Sequence, residues 1–124
     1  MFDTILFPVD RSPESQQAAA WALHLAQTFR TRVVVLTVIP EGGDTAAATV
    51  FLQGVAASFE EAGLTVETQV VNGKPAFAIC DVAEECKAGL IVMGSRGQGA
   101  ALEGDESVSH KTIDFAPCPV LVVP

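Results

Sequence analysis

Apolar residues in this chain fall into short continuous runs separated by stripes at helical spacing. Thr4-Ile5-Leu6-Phe7-Pro8-Val9 is such a run and ends at Asp10, which predicts a strand buried on both faces. Ser12-Pro13-Glu14-Ser15 then predicts a helix start, with Ser12 as N-cap, Pro13 at the first helical position and an acid in the first turn. Ala19, Ala22, Leu23, Ala26 and Phe29 continue at helical spacing. Arg32 to Ile39 is the strongest strand signal, because β-branched residues dominate it. After the loop Pro40-Glu41-Gly42-Gly43-Asp44, the stripe Phe51, Val55, Phe59 and Ala62 predicts a second helix, which Gly63 ends.

Leu64 to Val71 alternates apolar with polar, as a half-exposed strand near a sheet edge does. Asn72-Gly73-Lys74 turns the chain, and Pro75 starts a third helix whose face is Phe77 or Ala78, then Ile79, Val82, Ala83 and Cys86. Leu90 to Met93 predicts a fourth strand and Ser107 to about Phe115 a fourth helix. The rigid Ala116-Pro117-Cys118-Pro119 leads into a last, very apolar strand, Val120 to Val123. The order βαβαβαβαβ with continuous apolar strands predicts an α/β fold, a parallel sheet with helices on both faces. Ligands of such sheets sit beyond the C-terminal strand ends, where the strand order reverses. Val9, Asp10 and Arg11, then Thr37, Val38 and Ile39, then Met93 to Gly97 are therefore candidate site residues, with Pro8 beside the first group.

At 124 residues the chain is one domain, residues 1–124, large enough for a core. No apolar run approaches the roughly 20 residues of a membrane helix, and no basic segment precedes an apolar stretch at Met1-Phe2-Asp3-Thr4. A cytoplasmic protein is expected. The formal charge of −8, with seven basic residues scattered singly, argues against nucleic acid. Cys80, Cys86 and Cys118 are odd in number and without C-x-x-C spacing, so they read as reduced, packed thiols rather than disulfides or zinc ligands.

The chemistry concentrates between Gly94 and Ser109. Gly94-Ser95-Arg96-Gly97-Gln98-Gly99 follows a strand, Glu103-Gly104-Asp105-Glu106 follows that, and Ser107-Val108-Ser109 opens a helix. Glycines at a strand end and hydroxyls at a helix start are the parts of a phosphate cradle. The three carboxylates between them carry the wrong charge for it.

With these pieces together, the chain resembles the universal stress protein family over essentially its whole length. The resemblance rests on Ile5-Leu6-Phe7-Pro8-Val9-Asp10 with Ser12, on Leu90-Ile91-Val92-Met93-Gly94-Ser95-Arg96-Gly97, and on Ala116-Pro117-Cys118-Pro119-Val120-Leu121-Val122-Val123. It implies a three-layer, adenine nucleotide alpha hydrolase-like domain with strand order 3-2-1-4-5 and two helices on each face. It also implies a homodimer through Val120, Leu121, Val122 and Val123, and, in one branch, a site for ATP or AMP with Mg²⁺ only where ATP is bound. There Asp10 meets the adenine-ribose end, main chain near Val38 holds the base, and a glycine pattern holds the phosphates. Gly94 and Gly97 match that pattern, as do Ser107 and Ser109, with Val108 between them.

The second-site glycine does not match. Glu106 precedes Ser107, and the gap is one residue shorter than the pattern, leaving Gly104 as a displaced stand-in. A carboxylate about 4 Å from a phosphate charge costs about 4 kcal/mol at an effective dielectric near 20, and about 1 kcal/mol in full water. The expected function is a dimeric stress-response module with an altered adenine-nucleotide site, binding ATP weakly, AMP alone, or neither. The alternatives are an ATP- or AMP-binding sensor and a slow ATPase, though no residue set clearly positions a water for hydrolysis. Asp10 is a ligand group or caps a turn with Arg11-Ser12. Arg96 pairs with a phosphate or with the acids at 103–106, and those acids form a solvated loop rather than a cation site. His24 and His110 read as plain helix residues, Ser12 and Ser15 as cap and first-turn residues, and Trp21 as a packing or interaction residue.

Overall fold

In the computed structural model, which describes residues 2–95 and 107–124, every expected element forms. The order is β1 (Thr4–Pro8), α1 (Pro13–Phe29), β2 (Arg32–Ile39), α2 (Thr45–Glu61), β3 (Val66–Asn72), α3 (Pro75–Glu85), β4 (Leu90–Gly94), α4 (Val108–Phe115) and β5 (Val120–Val123). All strand pairs are parallel, and the sheet order is β3-β2-β1-β4-β5. That is the α/β architecture the residues and the family resemblance both imply. Among the described residues no helix is long and apolar enough to cross a membrane.

The strand pleat divides the core in two. Ile5, Phe7, Val33, Val35 and Val92 face α1 and α2, where Ala18, Ala22, Ala26, Leu52 and Phe59 cover them. Leu6, Val34, Leu36, Ile91 and Met93 face α3 and α4, under Ile79, Val82 and Ala83. Alternate residues of each central strand thus enter different cores, which is why these strands read as unbroken apolar runs.

Several details differ from the sequence expectation. β1 stops at Pro8, one residue early, and β3 begins at Val66 rather than Leu64. The buried stripe of α1 is Ser15, Ala18, Ala22 and Ala26, so Ala19 and Leu23 flank it and Phe29 lies out at the helix end, 5.3 Å from the Phe2 ring. Small side chains take the inner line, and α1 comes close enough to β4 that a Cβ at Gly94 would lie 2.8 Å from the Glu14 backbone. The stripe of α2 is likewise rotated to Ala48, Leu52, Ala56 and Phe59, with Phe51 and Val55 at its border. On α3, Ala76, Ile79, Cys80, Val82 and Ala83 are buried, whereas Phe77 is outside against Phe115. β3 is an edge strand, as its alternation implies.

Candidate functional site

The sheet opens where β1 and β4 part. Their pairing covers only Ile5↔Leu90 and Leu6↔Ile91, so Phe7 and Pro8 diverge from Val92, Met93 and Gly94. On the other side β1 keeps register with β2 until Pro8↔Leu36, and Val9 N–H still donates to the Leu36 carbonyl at 2.8 Å. The next parallel rung would join Val38 N–H to the Val9 carbonyl and Arg11 N–H to the Val38 carbonyl. Neither forms. The Thr37 hydroxyl instead donates to the Val9 carbonyl at 2.6 Å, and the chain turns away at Asp10. Among the described residues, Val38 therefore presents one unpaired donor and one unpaired acceptor of main chain past the end of β1.

The turn itself is held by a ring of short side chains. Ser12 N–H donates to Asp10 Oδ1 at 2.8 Å, Ser15 N–H to Ser12 Oγ at 3.1 Å, and Asp10 N–H to Ser15 Oγ at 2.9 Å. Ser12 is the N-cap of α1. Asp10 is thus both a turn cap and a half-buried carboxylate at the crevice, with only Oδ1 used among the described residues. Ser15, buried and lining the same crevice, is a site residue that the first-turn reading missed. Its signal was the spacing Asp-x-Ser-x-x-Ser, which closes such a ring around a strand end.

Across the crevice, Gly94 meets the first turn of α1. A Cβ there would lie 2.8 Å from the Glu14 carbonyl carbon and 2.9 Å from its oxygen, so glycine is required by backbone contact. Ser107 caps α4 by accepting His110 N–H at 3.2 Å; its Oγ also lies 3.2 Å from Ser109 Oγ. Ser109 Oγ in turn donates to the Ser95 carbonyl at 3.2 Å. The start of α4 is thereby tied to the end of β4, and its first-turn N–H groups face the side where an anion is favoured. Arg96, Gly97, Gly104 and Glu106 lie outside the described residues, as do Glu103 and Asp105.

Two hollows flank the Asp10–Val38 ridge. The first, between the β1 and β4 ends, has a volume of about 40 Å³ and walls that include Pro8, Ser15, Ile79, Met93, Gly94 and Val108. The second lies on the β2–α2 side, with a volume of about 280 Å³, and takes in Arg11, Thr37, Asp44, Ala48 and Phe51. There the Arg11 guanidinium sits 4.8 Å from the centre of the Phe51 ring. Phe51, expected only as core, and Asp44, expected only in a loop, are further residues that the sequence did not bring to the site. Pro8, Val9, Asp10, Thr37, Val38, Met93, Gly94, Ser107, Val108 and Ser109 do converge at this end of the sheet.

Cys80, Cys86 and Cys118 lie away from the crevice and are free thiols. Burial pushes all three up from their ordinary pKa of 9.0. This keeps them protonated and matches their reading as packed hydrophobes. His24 and His110 are exposed, and no group of three metal-ligating side chains occurs among the described residues.

The model of the universal stress protein family matches residues 1–124. The chain is 41% identical to universal stress protein Sll1654 of Synechocystis over 136 aligned positions, covering 100% of this chain and 87% of that protein. A universal stress protein solved in complex with cAMP superposes with a TM-score of 0.82 at 24% identity, covering 99% of this chain and 97% of the other. A family protein of Arabidopsis thaliana with AMP bound superposes with a TM-score of 0.77 at 20% identity, over 98% and 90% of the two chains. At those identities the two structures speak for the shared fold.

Proposed function

The chain belongs to the universal stress protein family, and on that premise we propose that its crevice binds an adenine nucleoside monophosphate, AMP or cAMP. The observation that carries this is the open main-chain edge of Val38 beside Asp10. Adenine offers an acceptor nitrogen next to an amino donor, the complement of one N–H and one C=O on a strand edge. The second oxygen of Asp10, unpartnered among the described residues, suits a ribose hydroxyl, and the start of α4, with Ser107 and Ser109, suits a phosphate. The cAMP and AMP held by two proteins of the same fold support the reading. Among the described residues the crevice measures about 40 Å³, less than the roughly 300 Å³ of an ordinary ligand pocket.

The triphosphate end is altered. Glu106 replaces the glycine that would admit a close phosphate, and Glu103 and Asp105 add like charge. The family's phosphate pattern runs through this stretch of sequence, so the added phosphates of ATP are expected to meet like charge, and ATP to bind about tenfold more weakly than AMP or not at all. Isothermal titration with AMP, cAMP, ATP and ATP–Mg²⁺ tests this. Heat with AMP or cAMP and less with ATP is the expected result. No heat with any nucleotide overturns the site, and ATP–Mg²⁺ binding tighter than AMP favours an ATP-dependent sensor.

The module acts in the cytoplasm as a stress-response homodimer joined through β5. Ile91 N–H donates to the Pro119 carbonyl and Ser95 N–H to the Val123 carbonyl, so alternate residues Val120 and Val122 turn their main chain to the outer edge. An apolar, uncovered edge of this kind favours pairing with a second copy. Val122→Pro removes an outward N–H and leaves the β4 side intact. Light scattering is expected to show a dimer for the natural chain and a monomer for the variant; a monomeric natural chain rejects the proposal.

A further inference from the structure

The hollow on the β2–α2 side lies beside the β1–β4 crevice and shares the Asp10–Val38 ridge with it, including the second oxygen of Asp10 that the proposed nucleotide site also uses, whereas Arg11, Asp44 and Phe51 line the hollow alone. We propose that it is a binding site for a small organic cation with a guanidinium or alkylammonium head, seated on the Phe51 ring and occupied in this structure by the chain's own Arg11. The ring demonstrates the geometry, since it already carries a guanidinium 4.8 Å from its centre, within the distance at which a cation is held by an aromatic face. Arg11 is an exposed side chain on a turn, and it forms no ion pair among the described residues. It is a tethered occupant with a weak hold.

The charges of the hollow suit a cation. Asp10 stands on one rim and Asp44 on the other. Each commits Oδ1 to a backbone N–H, of Ser12 at 2.8 Å and of Ala47 at 2.9 Å, and the second oxygen of each has no partner among the described residues. Both carboxylates are held in place by their capping bonds, so they are preorganised for a ligand. Ala48, Val38 and Ile39 supply an apolar floor for the carbon stem of such a molecule. The formal charge of −8 draws cations toward the surface and repels anions. At about 280 Å³ the hollow has room for a guanidinium or ammonium group with a short alkyl chain.

Agmatine, a guanidinium on a short alkylamine, is the probe, titrated into the full chain and followed by calorimetry and by the amide resonances of Ala47 and Ala48. Arg11→Ala vacates the ring and is expected to bind agmatine about fivefold or more tightly than the natural chain. On that background Phe51→Leu removes the aromatic face and is expected to weaken binding about fivefold. Asp44→Asn keeps the helix cap, because asparagine caps as well as aspartate, and removes the charge. It is expected to weaken binding several-fold and to flatten its salt dependence. Failure of Arg11→Ala to bind agmatine overturns the proposal. So does binding that neither Phe51→Leu nor Asp44→Asn weakens, or that leaves the Ala47 and Ala48 resonances unmoved.

Discussion

The two ends of the sheet are built from similar residues and finished in opposite ways. At the N-terminal end of the strands, Arg32 donates from Nε to Thr4 Oγ1 at 2.8 Å and from Nη2 to the Cys86 carbonyl at 3.1 Å, with Nη1 3.3 Å from Glu67 Oε2. Gly89 N–H bonds the Thr4 carbonyl, and Phe2 packs so tightly on Gly89 that a Cβ there would lie 2.2 Å from its own. At the C-terminal end, β1 stops two residues short of Val38, β4 diverges, and a carboxylate is held with one oxygen unpartnered among the described residues. An arginine at the first end ties its own strand, β2, to β1, β3 and the end of α3. An arginine at the second rests on an aromatic ring and forms no ion pair among the described residues. Polar groups satisfied inside the fold stabilise it, whereas those left open beside a rigid scaffold are available to a ligand.

The sharpest way to break this contrast is at Asp10. Asp10→Asn keeps an oxygen for the Ser12 turn and removes the charged acceptor, so stability is expected to hold within about 0.5 kcal/mol. AMP affinity falls about 30-fold, the worth of a hydrogen bond to a charged group. Parallel urea and calorimetric titrations separate the two, and a variant that loses stability while keeping AMP places Asp10 with the structural end. Arg32→Met is the mirror experiment. It removes two hydrogen bonds to partly or fully buried acceptors and one half-exposed ion pair of little value, for about 1.5 kcal/mol of destabilisation by urea. Nucleotide affinity is expected to stay unchanged; a joint loss would show that the ends are coupled.

The smallest effect is expected from pH. Burial raises the folded-state pKa of Cys80 above its ordinary 9.0. The neutral thiol is therefore favoured by folding, a contribution fully present below pH 9.0 and lost as pH rises through the folded value. Stability of the natural chain is expected to decline above pH 9.0 more steeply than that of Cys80→Ala in urea titrations. Equal slopes would mean that the buried thiol does not contribute.

Much of the crevice was legible in the chain. A strand end followed by Asp10, a capped helix at Ser12, and hydroxyls at Ser107 and Ser109 are local signals, because caps and turns involve residues within five positions of each other. The turned faces of α1 and α2 were not legible in the same way. Ala18 and Leu52 are buried where Ala19 and Phe51 were expected, since an apolar stripe wide enough for either leaves the rotation to the packing distance against the sheet. Ser15 and Asp44 were hidden for a related reason. Ser15 reads as an ordinary first-turn residue and Asp44 as part of a loop, and only the approach of a distant strand end makes each part of a wall.

By itself, the sequence determined the element order, the buried parallel strands and, through three ordered motifs, the family and its strand order. The element order and the buried strands follow from periodicity, capping and turn chemistry, which act over a few residues, and the strand order is what the family resemblance implies. Only the tertiary structure decided that β1 and β4 pair over just two rungs, that Thr37 takes the Val9 carbonyl, and that Arg11 rests on Phe51. Each of these joins residues far apart in the chain or selects one hydrogen-bond partner among several. Such choices are settled by packing and by the pairing of buried polar groups across the whole fold.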